Sequence, residues 1–183
     1  MAEHRCTIVR IDPVPPATAA ALGTALAGWL QDARIVVVNR AVDPVWEPCA
    51  FRPGPRWWTT FAQAGDRFGP EVSATGMDVL VDREAHTPSR NLVPPRCPGC
   101  GSAGDEDEYV DHAGRWVAAT EPAMTCASCG RAAPLGEWAD GRFGIAVGAP
   151  AVRFSNWWPL ADDFVTEVRS RLGGRTSVVE AKI

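Results

Sequence analysis

Lysine is almost missing from this chain of 183 residues: Lys182 stands alone against seventeen arginines. No Gly-x-x-x-x-Gly-Lys-Ser/Thr segment exists, so no loop is built to cradle a nucleoside triphosphate. Gly-x-Gly-x-x-Gly after a strand and Gly-x-Ser-x-Gly are missing too, which leaves a dinucleotide enzyme or an α/β-hydrolase without support. No apolar run approaches the roughly 20 residues of a membrane-spanning helix. Positive charge is not in excess: the formal net charge is −4, so no basic field for phosphate backbones is evident in the total. The start, Met1-Ala2-Glu3-His4-Arg5, leads straight into Cys6-Thr7-Ile8-Val9. It has neither the apolar stretch nor the small-residue cleavage site of a secretion signal. A cytoplasmic location is therefore expected, where thiols stay reduced and paired cysteines mean metal or redox work.

What the chain does have is two cysteine pairs, Cys97-Pro98-Gly99-Cys100-Gly101 and Cys126-Ala127-Ser128-Cys129-Gly130. Together they supply the four thiolates a tetrahedral metal site requires. A glycine directly after the second cysteine of each pair allows a left-handed backbone, which lets a tight turn aim amide N–H groups at sulfur. A dithiol redox centre needs a Cys-x-x-Cys opening a helix, and Pro98-Gly99 with the trailing glycine argues against that. A catalytic zinc needs an open position and usually mixed ligands. His112 is the one nearby competitor, but Asp105, Glu106, Asp107, Glu108 and Asp111 around it read as a solvated tip.

The segment Cys97–Gly130 resembles a zinc ribbon, whose two knuckles are written Cys-Pro-x-Cys-Gly and Cys-x-x-Cys-Gly. The resemblance covers under a fifth of the chain. It implies Cys97, Cys100, Cys126 and Cys129 as ligands of one structural Zn2+. The 25 residues between Cys100 and Cys126 exceed the usual 15–20. The arm between the knuckles is therefore expected to be a long hairpin, with Tyr109-Val110 and Arg115-Trp116-Val117-Ala118 as its strands. With the knuckles, Phe154-Ser155-Asn156-Trp157-Trp158-Pro159 and the arginine-, alanine-, glycine- and proline-rich composition make the whole chain similar to uncharacterised zinc-ribbon proteins of actinobacteria. That resemblance carries no activity.

The ends of the chain share one plan. Cys6 to Ile11 alternates as a strand, prolines break it, and Leu22, Leu26, Trp29 and Leu30 form a helical stripe. Arg34–Val38 is a short buried strand. Near the C-terminus Val152–Asn156 is a strand, Pro159 opens a helix with Leu160, Phe164, Val168 and Leu172 spaced four apart, and Thr176–Lys182 closes. Met77–Asp82 is a further strand, and Phe143–Val147 another candidate. Two strand–helix–strand units around an antiparallel sheet predict an α+β fold, a ferredoxin-like split β-α-β layer with two helices and an inserted zinc-ribbon hairpin. The expected division is an α+β domain of residues 1–93 and 135–183, with 94–134 as the insert.

The other candidates are weaker. Cys6 and Cys49 are left over and read as buried inert thiols; a Cys–His dyad with His4 or His86 has nothing in the sequence to assemble it. Asp78, Asp82 and Glu84 read as a solvent-facing strand edge. The eight tryptophans are many. Those at Trp57-Trp58 and Trp157-Trp158 sit beside turns, and Trp46, Phe51, Phe61 and Phe68 crowd the proline-rich stretch 40–76. Adjacent strand residues face opposite ways, so one of each Trp pair is free to line a pocket or an interface, where tryptophan is enriched. Asn156 is a polar partner for such a site.

Three functions compete. The first is a non-enzymatic zinc-binding protein–protein interaction module, in the style of an immunity protein or antitoxin, holding a basic protein partner. The second is an enzyme with a Trp-lined pocket outside the ribbon. The third is a nucleic-acid-binding ribbon using Arg52, Arg56, Arg67, Arg90 and Arg96. Cys97–Gly130 holds six acidic residues against one arginine, a net of −5, and phosphate contacts dominate nucleic-acid affinity. The charge favours the first over the third.

Overall fold

The computed structural model describes residues 4–40, 48–62, 75–138, 142–157 and 159–182. Trp46, Arg67, Phe68 and Trp158 lie outside these. The elements are β1 (His4–Arg10), α1 (Pro16–Asp32), β2 (Val36–Val38), β3 (Phe51–Pro53), β4 (Gly76–Leu80), β5 (Glu84–His86), α2 (Glu106–Ala118), β6 (Ala123–Thr125), β7 (Ala132–Pro134), β8 (Ala146–Gly148), β9 (Ala151–Ser155), α3 (Asp162–Leu172) and β10 (Thr176–Lys182). This is a mixed α+β architecture with three helices.

Six strands form one antiparallel sheet in the order β10-β1-β9-β4-β3-β2. The interior strand β1, between β10 and β9, is buried on both faces along Cys6–Val9, as its near-continuous apolar run demands. Cys6 and Ile8 join a core with Leu26 and Leu30 of α1 and with Phe164, Val168 and Leu172 of α3. Val9 turns the other way, into a second core with Tyr109 and Trp116 of α2, Trp138, and Val147 of β8. Thus α1 and α3 cover one face, while α2, the cysteine-bearing segment and the small β5–β8 sheet cover the other.

Local chemistry explains the helices. Pro16 stands in the first turn of α1, where a missing N–H is harmless. Gly23 faces β4 so closely that an added Cβ would meet Val79 Cγ1 at 2.7 Å; here glycine is required by packing, not by a turn. Of the stripe expected on α3, Phe164, Val168 and Leu172 are buried on the helix with Val165 beside them, while Leu160 is buried but precedes the helix. The helix begins at Asp162, past Pro159, and stops at Gly173 with φ of 65°, a conformation glycine adopts without steric cost.

One expectation is overturned. Tyr109-Val110 and Arg115–Ala118 are not hairpin strands; both lie in α2. Tyr109, Ala113 and Trp116 are its buried residues, spaced i, i+4, i+7 on one helical face. Asp105 caps the N-terminus, accepting from Glu108 N–H at 2.8 Å. The acidic run is therefore no hairpin tip. It fills the first turn of a helix, where carboxylates oppose the positive end of the macrodipole. At the other end Arg83 donates to the carbonyls of Trp116 (2.9 Å) and Ala119 (3.1 Å), a cation at the negative end. Phe143–Val147 is likewise shifted: β8 spans Ala146–Gly148 and pairs with β5, outside the main sheet. Among the described residues no helix is long and apolar enough to cross a membrane.

Candidate metal centre and the aromatic groove

The two Cys-x-x-Cys-Gly segments fold alike. Cys97 N–H donates to Ser102 O and Cys126 N–H to Arg131 O, both at 2.9 Å. Gly101 N–H returns to Cys97 O and Gly130 N–H to Cys126 O, again at 2.9 Å. Gly101 and Gly130 have φ of 74° and 71°, the left-handed geometry for which each glycine was expected. Arg96 bridges to Ala103 beside the first turn, and β6 and β7 form the short hairpin that carries the second. Each knuckle is a tight turn closed by short backbone pairing, and α2 fills the sequence between them.

The four sulfurs all lie within 4.8 Å of one another. Cys97 Sγ is 3.7 Å from Cys129 Sγ, and Cys100 Sγ is 3.7 Å from Cys126 Sγ. A disulfide would need about 2.05 Å, so these are four separate thiols. Four sulfurs bound tetrahedrally at about 2.3 Å stand about 3.8 Å apart, and the spacing fits that group. Gly99 N–H points at Cys97 Sγ at 3.3 Å, and the Ser102 hydroxyl lies 3.3 Å from Cys100 Sγ. Ser102 first, through its hydroxyl and its backbone N–H, and then Cys129 pull the Cys100 thiol down to about 6. Hydrogen bonds of this kind stabilise thiolate, the form a metal takes. Cys97 and Cys126 are buried, Cys100 and Cys129 exposed.

The centre is tied into the protein core. Cys97, Cys126 and Met124 belong to the same apolar cluster as Val9 and Val179 of the main sheet. The single tyrosine, Tyr109, donates to Ile145 O at 3.1 Å and accepts from Ile145 N–H at 2.9 Å. Glu121, between α2 and β6, accepts from Arg175 at 2.8 Å and from Gly136 N–H at 2.8 Å. His112 is on the exposed side of α2, its Nδ1 2.8 Å from Glu108 O, and is not among the four clustered ligands.

The tryptophan candidates separate. Trp57, Asn156 and Trp157 all line one open groove of about 960 Å³, with Leu92, Phe143 and Lys182 among its other walls. Trp57 meets Trp157 edge to face with centroids 5.3 Å apart, and Phe61 at 4.7 Å. Trp157 is itself buried, and its indole N–H donates to the Thr60 hydroxyl at 2.9 Å. Asn156, at φ of 51°, accepts from His4 N–H at 3.1 Å through Oδ1 and so closes the end of the β1–β9 pairing. Trp58 is exposed (54%) and does not line the groove.

Residues that only the fold assembles complete it. Phe143 and Leu92 carry no sequence signal beyond hydrophobicity, and Lys182 reaches the groove because β10 ends there. Cys6 is buried, and its thiol is pushed up to about 12 by burial first and then by Glu180. It pairs with Phe154 and Glu180 on the neighbouring strands, so no Cys6–His4 nucleophile is set up. His86 is buried on β5 against the other face of the sheet. Asp78 is on β4, where it accepts from Ala50 N–H at 2.7 Å, a structural use. Comparison with protein-family models, with curated proteins and with solved structures finds no match to this chain.

Proposed function

We propose that this chain is a non-enzymatic binding protein in which Cys97, Cys100, Cys126 and Cys129 hold one structural zinc ion and the Trp57–Asn156–Trp157 groove receives a protein partner. The observation that carries the reading is the groove itself. It joins residues a hundred positions apart in sequence, and its wall at Leu92 and Val93 directly precedes the first knuckle. A metal bound by four thiolates supplies folding energy and no open coordination position, so its role is to fix that wall. Phe143 on the groove wall is exposed, as is Trp58 outside it, and exposed aromatics beside an open groove suit a macromolecular partner more than an enclosed small molecule. Exposed Glu106, Asp107, Glu108 and Asp111 on α2 favour a basic partner, as an immunity protein or antitoxin would meet in a cytoplasmic setting.

The order β10-β1-β9-β4, with α1 after β1 and α3 between β9 and β10, supports reading the main sheet as a ferredoxin-like split β-α-β layer extended by β2 and β3. Residues 94–134 are then a zinc-ribbon-like insert in which a helix replaces the longer hairpin, within a domain of 1–93 and 135–183.

The enzyme reading rests on the same groove. Its titratable lining is His4, Glu180 and Lys182. Glu180 is held by Arg142 at 2.6 Å, and the thiol beside it on β1 is protonated. This set favours binding over turnover. The nucleic-acid reading needs an arginine stripe, but Arg52 is on β3 while Arg96 flanks the acidic metal segment.

The test is a photo-crosslinking residue placed at Phe143 and, separately, at Val110 on α2. The groove position is expected to label one host protein. With the purified pair, Phe143→Glu is expected to weaken binding about tenfold or more. Labelling only from Val110, or turnover of a small molecule in the groove, would overturn the proposal.

A further inference from the structure

The two tryptophans of the aromatic groove are not equivalent. Trp157 is buried, and its indole N–H is taken by the Thr60 hydroxyl at 2.9 Å. Trp57 is half-buried and packs edge to face on Trp157 and Phe61. Among the described residues its own indole N–H has no hydrogen-bond partner, and it is not one of the buried polar atoms left without one. That N–H is therefore open to solvent on a residue that lines the groove. Asn91, also in the lining, repeats the pattern. Its backbone N–H donates to Pro88 O at 3.1 Å, while its carboxamide has no partner among the described residues.

The charge of the lining is one-sided. Glu180 is held by Arg142 at 2.6 Å, and Arg142 also reaches Asp162 at 2.8 Å. Lys182 is exposed at the end of β10 and forms no ion pair among the described residues. An indole N–H and an ammonium can only donate. The groove thus presents open donors and one free cation, while its one carboxylate is already paired. An occupant that complements it brings acceptors, few N–H groups, and apolar surface for Trp57, Trp157, Phe143 and Leu92. An α-helix keeps its carbonyls for its own N–H groups. A strand brings as many N–H groups as carbonyls. A polyproline II segment leaves its carbonyls free, and each proline lacks the N–H. Such segments dock in aromatic-lined grooves.

We infer that the partner enters this groove with an extended proline-rich segment that carries an acidic residue at one end. Prolines lie against Trp57 and Phe143, their carbonyls accept from the Trp57 indole and the Asn91 carboxamide, and the carboxylate meets Lys182. The inference rests on the reading of the groove as a partner site and names the part of the partner that fills it. Little ordering is lost on binding, because polyproline II is extended before it docks. The basic surface that α2 favours is a separate feature of the same partner.

The probes are three decapeptides, capped at both termini and titrated calorimetrically into the full zinc-loaded chain. The first is proline-rich with a glutamate at each end. The second carries glutamine in place of glutamate, and the third alanine in place of alternate prolines. The first should bind saturably, and the alanine peptide about tenfold or more weakly. Trp57→Phe keeps a ring and removes the N–H, and should weaken the first peptide severalfold. Lys182→Gln should erase the preference for glutamate over glutamine and leave the affinity for the glutamine peptide unchanged. Thermal unfolding checks that both variants fold, and Lys182→Gln, at an exposed position, carries the test if Trp57→Phe does not. No saturable binding of the first peptide, equal binding of the alanine peptide, or a glutamate preference that survives Lys182→Gln overturns the inference. A host protein crosslinked from Phe143 while the peptides fail to bind keeps the groove as a partner site and removes only its proline-rich occupant.

Discussion

Cys97 Sγ stands 3.7 Å from Cys129 Sγ although 32 residues separate them. The first cysteine of one knuckle faces the second of the other, and Cys100 and Cys126 repeat the relation in reverse. This crossed arrangement makes the four sulfurs one site and not two dithiols. Structural zinc in such sites contributes roughly 10–16 kcal/mol of apparent binding energy. Elemental analysis should find one zinc per chain. Chelation, or Cys126→Ser, should unfold at least the 94–134 segment and expose Trp116 and Trp138 to water, read as a red shift of tryptophan emission. Metal-free protein with unshifted emission would refute the structural role.

Tyr109 makes two hydrogen bonds to one peptide unit, donating to Ile145 O and accepting from Ile145 N–H, at a fully buried position. Tyr109→Phe keeps the ring and strands both backbone groups. Stability should fall by about 1–3 kcal/mol, measured as a lower denaturant midpoint with unchanged slope.

Asp105→Ala removes the α2 cap, whose carboxylate accepts from Glu108 N–H. A loss of about 1 kcal/mol is expected. Asp105→Asn should recover most of it, because the amide oxygen still accepts. Equal losses in both variants would assign the effect to charge, not capping.

His86 gives the fold a pH dependence of defined sign. Burial first, and then the charge of Arg153, push its ring down from 6.5 to about 4 in the folded protein, so the unfolded chain takes up the proton first. The stability that the neutral ring contributes is present above 6.5, falls as pH drops from 6.5 to about 4, and is gone below that. The full effect is on the order of 3 kcal/mol. His86→Gln should flatten the stability–pH profile across this window relative to the parent protein. An identical profile in both would show that other groups carry the slope.

The legible parts of this protein are those in which a few neighbouring residues suffice. Gly101 and Gly130 announced their left-handed turns, because only the local backbone is involved. The ends of α1 and α3 could be read from Pro16 and Gly173, and the strands on either side from their apolar runs. The stretch between the knuckles misled for a physical reason. Tyr109-Val110 and Arg115–Ala118 carry β-favouring residues that fit a ribbon's arm. The decisive pattern was Tyr109, Ala113 and Trp116 at helical spacing behind an Asp105 cap, and it is short enough to be outweighed by a motif.

By itself the sequence determined the four-cysteine cluster: two glycine-closed turns allow few other arrangements of backbone and sulfur. It also determined that each end holds strands flanking a helix, since those periodicities are local. Only the tertiary structure decided what surrounds these parts. Trp57 meets Trp157, and Val9 shares a core with Trp116, because β1, β9 and β10 are neighbours in the sheet and because α2 and β5 cover its second face. Such meetings depend on long-range strand order and on which face each residue takes, and no run of adjacent residues encodes either.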